Sequence, residues 1–126
     1  MSDKPVLQPG PDHPITIERN NRRVVVSVAG RVVADTTSAV TLREAAYAPV
    51  QYIPLEDVDS SLLEASDHSS YCPYKGDASY YTVKAPDGST EKDVVWTYEH
   101  PYPSVAEIAG HVAFYADRAE VTVGRP

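Results

Sequence analysis

The sequence predicts a mainly β protein: a single small domain of seven or eight short antiparallel strands with one or two short helices. Three observations carry that prediction. β-Branched residues alternate at period two, turn-forming residues recur at short intervals, and prolines cut short the few helical stripes. A length of 126 residues accommodates one domain, and a hydrophobic content of 42% supplies a core. Residues 1–14 are polar and carry Pro5, Pro9, Pro11 and Pro14, which predicts a flexible lead-in before a domain over residues 15–126.

The elements follow in order. Ile15 and Ile17 alternate with Thr16 and Glu18 as a strand, and Asn20-Asn21 offers a turn because Asn tolerates positive φ. Val24, Val26 and Val28 share a strand face, and Ala29-Gly30 marks a hairpin tip returning through Arg31-Val32-Val33-Ala34. Ala39 to Tyr47 fits either a helical stripe or alternation, and strand is the preferred reading. Pro49 and Pro54 frame a short extended segment, Val50 to Ile53. Leu55, Val58, Leu62 and Leu63 sit at near-helical spacing after Pro54, which predicts one or two helical turns. Asp67 to Asp77 has no period and reads as a loop. Ser79–Lys84 and Val94–Glu99 read as strands joined through Pro86-Asp87-Gly88, where Pro presets φ and Gly accepts a positive one. Ser104-Val105-Ala106-Glu107 has the spacing of a capping box opening a short helix to about Gly110. His111–Tyr115 and Val121–Val123 complete the chain as strands.

Composition excludes several functions. Eighteen acidic residues against eleven basic ones give a formal charge of -7. Such a chain lacks the Lys and Arg excess that neutralises phosphates, so neither nucleic acid nor an anionic membrane is an expected partner. No apolar run approaches the ~18 residues of a membrane helix, and no signal-peptide stretch opens the sequence. With a single cysteine, this places the protein in a reducing cytoplasm. No P-loop, G-x-G-x-x-G or H-E-x-x-H motif is present, so no cofactor is expected. Residues 35–67 hold seven acids against one base, Arg43. They lack the spacing of a calcium loop and read as a solvated acidic face.

Two segments concentrate chemistry. In Tyr71-Cys72-Pro73-Tyr74-Lys75-Gly76 the Lys75 ammonium lies three residues from a thiol and could favour its thiolate, making Cys72 and Lys75 candidate catalytic groups. His68, four residues before Cys72, is a further partner for it. The plainer alternative is a small buried cysteine beside a solvent-facing lysine. One Cys and scattered His residues do not supply the paired ligands of a metal site. In the second segment Trp96 and Tyr98 share a strand face, and a hairpin through Pro86-Asp87-Gly88 sets either Tyr80 and Thr82 or Tyr81 and Val83 opposite them. Nine tyrosines against one Phe suit a half-wet pocket or interface better than a dry core, because a buried phenol needs a partner. Arg43, Glu44, Tyr52 and His111 are polar positions inside apolar strands, and each could face a cavity or solvent.

The ordered set Val33-Ala34-Asp35-Thr36, Leu42-Arg43-Glu44, Tyr52-Ile53-Pro54, Cys72-Pro73-Tyr74-Lys75-Gly76, Tyr80-Tyr81, Trp96-Thr97-Tyr98-Glu99 and Val112-Ala113-Phe114-Tyr115 resembles the bacterial and fungal domain-of-unknown-function family 427, from about Arg22 to Val123. The Cys-Pro-Tyr-Lys-Gly run is the most specific element. The resemblance implies a small mainly β fold similar to the β-tent (Mss4-like) group, many of whose members hold zinc with two Cys-x-x-Cys knuckles. This sequence has neither knuckle, so the zinc does not carry over. A nucleotidyltransferase label sometimes attached to the family also finds no counterpart, since there is no Gly-Ser pair followed by paired carboxylates. The expected function is binding of an unidentified small molecule at Arg43, Glu44, Tyr52, Tyr80, Trp96 and Tyr98. In an enzymatic version, Cys72 or Lys75 serves as nucleophile or base. The alternative is a non-catalytic interaction module or homodimer using the tyrosine-rich strands.

Overall fold

The computed structural model describes residues 4–124, and among them ten strands are formed. These are β1 (Ile15–Asn20), β2 (Val24–Val28), β3 (Arg31–Thr36), β4 (Ala39–Glu44), β5 (Val50–Pro54), β6 (Leu63–Cys72), β7 (Gly76–Lys84), β8 (Thr90–Thr97), β9 (His111–Phe114) and β10 (Glu120–Val123). Every pairing is antiparallel. Seven strands form one sheet in the order β1-β4-β5-β9-β8-β7-β6, and β10-β2-β3 form a second. The fold is mainly β, as its alternating sequence predicts.

Strand alternation sorts the core into two layers, one on each face of the large sheet. In β5, Ile53 faces a cluster shared with Val24, Val26, Val28 and Val33 of the small sheet. Its neighbour Tyr52 faces the opposite cluster, with Leu42, Tyr80, Tyr98, Val105 and Ile108. Strand β9 repeats the division: Val112 and Phe114 pack toward the small sheet, Ala113 away from it. The period-two rule therefore decides which side chains bury between sheets and which line the far face.

Local chemistry explains the turns. Ala29 and Gly30 both take positive φ, 52° and 79°, the requirement of a two-residue turn between β2 and β3. Asn20 Oδ1 accepts from the Arg22 N–H and turns the chain from one sheet to the other. Gly88 (φ 89°) closes the Pro86-Asp87-Gly88 turn, with Asp87 accepting from the Ser89 N–H. The helical turns expected after Pro54 are two single 3₁₀ turns, Leu55–Asp57 and Ser60–Leu62, the second capped by Asp59.

Three expectations are corrected. The strands among the described residues number ten, not seven or eight, because β6 adds to and β10 extends the pattern the sequence shows. Asp67–Asp77 is not a loop, because β6 runs through to Cys72 and β7 begins at Gly76. Strand β6 is the sheet edge and mostly exposed. Its backbone bonds to β7 hold it without any hydrophobic alternation, so the usual strand signal is missing. The Ser104–Glu107 capping box does not form either. The 3₁₀ segment runs Pro103–Ile108 with Tyr102 at its cap and no side-chain capping bond. Pro103 suits the first helical position and starts the turn one residue early, leaving Ser104 inside it.

The lead-in is described from Lys4 onward, and there it lies against the domain; residues 1–3 fall outside the described residues. Leu7 N–H donates to the Pro73 carbonyl at 3.0 Å, and the Tyr71 hydroxyl donates to the Pro5 carbonyl at 2.6 Å. Lys4 pairs with Asp77 at 2.6 Å. No helix among the described residues is long and apolar enough to cross a membrane.

Candidate functional site

The Cys72–Gly76 segment is a tight hairpin turn. Cys72 and Gly76 are register partners at the end of β6 and β7, and the Lys75 N–H donates to the Cys72 carbonyl. The Tyr102 N–H donates to the Lys75 carbonyl at 2.9 Å, so the lysine backbone is fixed from both sides. Gly76 has φ 113°, which L side chains rarely adopt, and a Cβ there would stand 3.4 Å from the His100 carbonyl. The turn thus needs glycine where the motif has it.

Fixed this way, the Lys75 side chain runs inward and is only 8% exposed. Its ammonium donates to Glu44 Oε1 and stands 3.7 Å from Cys72 Sγ. Glu44, at the end of β4, is 14% exposed, and its second oxygen bonds His13 Nε2 at 2.8 Å. His13 stacks flat on Tyr74 of the turn, with ring centroids 4.1 Å apart. Burial pushes the Glu44 carboxyl up, but hydrogen bonds and charge from Lys75 and His13 outweigh it and hold it below the usual carboxylate range.

The lowered Glu44 value sets an acid dependence. A carboxyl that titrates lower when folded adds stability fully above its ordinary pKa of 4.5 and loses it as pH falls through the folded value. Acid unfolding followed by circular dichroism should therefore be shallower in Glu44→Gln than in the parent below pH ~4.5.

Above the ion pair opens a cavity of about 260 Å³. Leu42 and Val50 line one side; Tyr52, Tyr80, Trp96 and Tyr98 form the aromatic wall, with Tyr47 and Tyr115 completing the lining. Tyr80 is the register partner of Trp96, but Thr82 falls at a register shift and Tyr98 lies past the end of β8, so only the Tyr80 half of the expected Tyr80 and Thr82 pairing forms. Trp96 Nε1 donates to the Tyr52 hydroxyl at 3.2 Å, with the two rings at 90°. The Tyr80 hydroxyl bonds Ser70 Oγ at 2.8 Å and the Tyr115 hydroxyl at 3.3 Å. Burial raises Tyr52 and Tyr98 well above the ordinary phenol value and Tyr115 to about 12, so these rings keep their protons.

One hydroxyl stands apart. Tyr98 is 8% exposed, lines the cavity, and has no hydrogen-bond partner among the described residues. It lines the same cavity as Glu44 and Lys75.

The matching family model, described as a domain of unknown function (DUF427), covers residues 16–125. The chain belongs to this family. No curated protein is significantly similar to it. For this DUF427 domain, the cavity gathers Glu44, Tyr52, Lys75, Tyr80, Trp96 and Tyr98, all of them singled out from sequence. Arg43 is not among the lining residues. It follows Leu42 and precedes Glu44 in β4, so alternation turns it to the outer face, beside Thr41, Gln51 and Glu18. Cys72 stands behind Lys75, half-buried, and is not a lining residue. His68 is tilted over the Tyr80 ring at 4.4 Å, and His111 bonds the Ala109 carbonyl.

Sequence reasoning missed Tyr47, Tyr115 and His13. Tyr115 was legible in principle, since Ala113 partners Trp96 and position 115 falls on the same face. His13 had no local signal, because its partner Glu44 is 31 residues away.

Proposed function

We propose that this domain binds a small, largely planar molecule in the cavity between β4, β5, β7 and β8, beside the Cys72–Gly76 turn. The observation that carries the reading is the Tyr98 hydroxyl. The Tyr98 ring is more than nine-tenths buried, yet its hydroxyl bonds no other described residue and is open to the cavity rather than sealed in the core. A ligand oxygen in the cavity would supply a partner. The aromatic walls suit a flat body, and a volume of about 260 Å³ suits one or two rings.

Glu44 and Lys75 give the site its polar end, while Tyr52, Tyr80 and Trp96 give it shape. In an enzymatic version Lys75 meets the substrate, because Cys72 stands behind it; Cys72 then acts on the ammonium and not on the ligand. A nucleotidyl-transfer reading draws no support from the cavity, whose one carboxylate, Glu44, is already engaged by Lys75 and His13. The single thiol fits a reducing compartment such as the cytoplasm.

Trp96 is the only tryptophan, so its indole N–H gives one resolved resonance. A library of single-ring and two-ring fragments screened by NMR should yield binders that shift Trp96 Nε1–H together with Leu42 and Val50 methyls. Binders that all shift residues elsewhere, or a library that leaves Trp96 unmoved, would overturn the proposal.

A further inference from the structure

The rings around the cavity invite two opposite ligands. An aromatic cage can hold a cation against its π faces, and it can equally sandwich a flat anion or neutral ring. The polar groups decide between them. At the cavity's polar end the charged acceptor is already engaged. Glu44 takes Lys75 on one oxygen and His13 on the other. The Tyr52 oxygen accepts from Trp96.

What remains is donor capacity. Tyr52 accepts one bond and gives its own proton to no group among the described residues. Tyr98 gives and takes none among the described residues. An ammonium carries three protons, and Lys75 directs one at Glu44 and one at the weak sulfur acceptor of Cys72. Two O–H groups and one N⁺–H on residues that line the same cavity are therefore left with no acceptor among the described residues. A cationic ligand would bring no acceptor, and it would rest against the Lys75 charge. A carboxylate is acceptor-only and offers two oxygens to such a set.

Resting on the pocket reading above, we infer that the ligand is an aromatic or otherwise planar carboxylate, its oxygens on Tyr98, Tyr52 and Lys75 and its ring against Trp96. Lys75 stays paired with Glu44 and contributes its remaining proton, so binding needs no break in the ion pair. Tyr98 is the specificity residue: its hydroxyl bonds no other described residue.

The test uses three probes of one ring each: benzoate, benzamide and benzyltrimethylammonium, titrated against the full chain with the Trp96 indole resonance as readout. Benzoate should bind tightest, benzamide more weakly, and the cation weakest. In Tyr98→Phe the benzoate affinity should fall about tenfold, the equivalent of ~1.4 kcal/mol, with binding of the cation unchanged. The variant keeps the buried ring, so the comparison does not depend on refolding a damaged core. Tighter binding of benzamide or of the cation overturns the carboxylate assignment, as does a Tyr98→Phe variant that holds benzoate as well as the parent. Each of those results leaves the pocket intact if fragments still move Trp96. Only a Trp96 that no fragment moves removes the pocket itself.

Discussion

Lys75→Met should lower the unfolding free energy by about 3 kcal/mol, the low end of the ~3–5 kcal/mol for breaking a buried ion pair. The loss comes from Glu44, whose largely buried carboxylate would keep only His13 as a partner. Methionine matches the lysine stem in volume, so lost packing contributes little. The diagnostic comparison is the double variant Lys75→Met/Glu44→Leu. Removing both charges leaves no unpaired ion, and stability should return to near the parent value. Urea unfolding of the four proteins in the cycle gives the coupling directly. A double variant no more stable than Lys75→Met would mean that the pair is not the source of the loss.

Ile53→Ala should cost about 2–5 kcal/mol, the range for truncating a fully buried aliphatic side chain. Ile53 is wholly excluded from solvent and sits where β5 meets the valines of β2 and β3, so it holds the two sheets together. The surrounding side chains are β-branched and stiff, which limits collapse into the cavity and favours the upper half of that range. Unfolding in urea measures it; a loss below about 1 kcal/mol would contradict a single core shared by both sheets.

The two substitutions probe opposite faces of the same sheet, and the sequence announced those faces unequally. Ile53 and the valines of β2 are strict alternation, readable because burial on one face leaves a period of two. The Tyr80–Trp96 pairing was also within reach once Pro86-Asp87-Gly88 marked the hairpin. Strand β6 was not, since an exposed edge strand is held by backbone bonds that any polar residue can make. Arg43 shows the cost of reading a motif as a block: alternation within Leu42-Arg43-Glu44 sends its middle residue to the other face. Glu44 was first counted among the acids of a solvated surface. Its burial follows from Lys75 and His13, each 31 residues distant, and no local pattern encodes that meeting.

On the proposed function, the cavity holds the Tyr98 hydroxyl ready for a ligand. The most direct test of that reading is the thermal midpoint of the parent and of Tyr98→Phe, each with and without the fragment that most shifts Trp96. The variant alone should melt close to the parent, within about 1 kcal/mol, because the hydroxyl bonds no other described residue and opens on the cavity. Saturating fragment should raise the parent's midpoint and raise the variant's much less. A variant that melts well below the parent, yet gains as much from the fragment, would contradict the account, because the hydroxyl would then serve the fold and not the ligand.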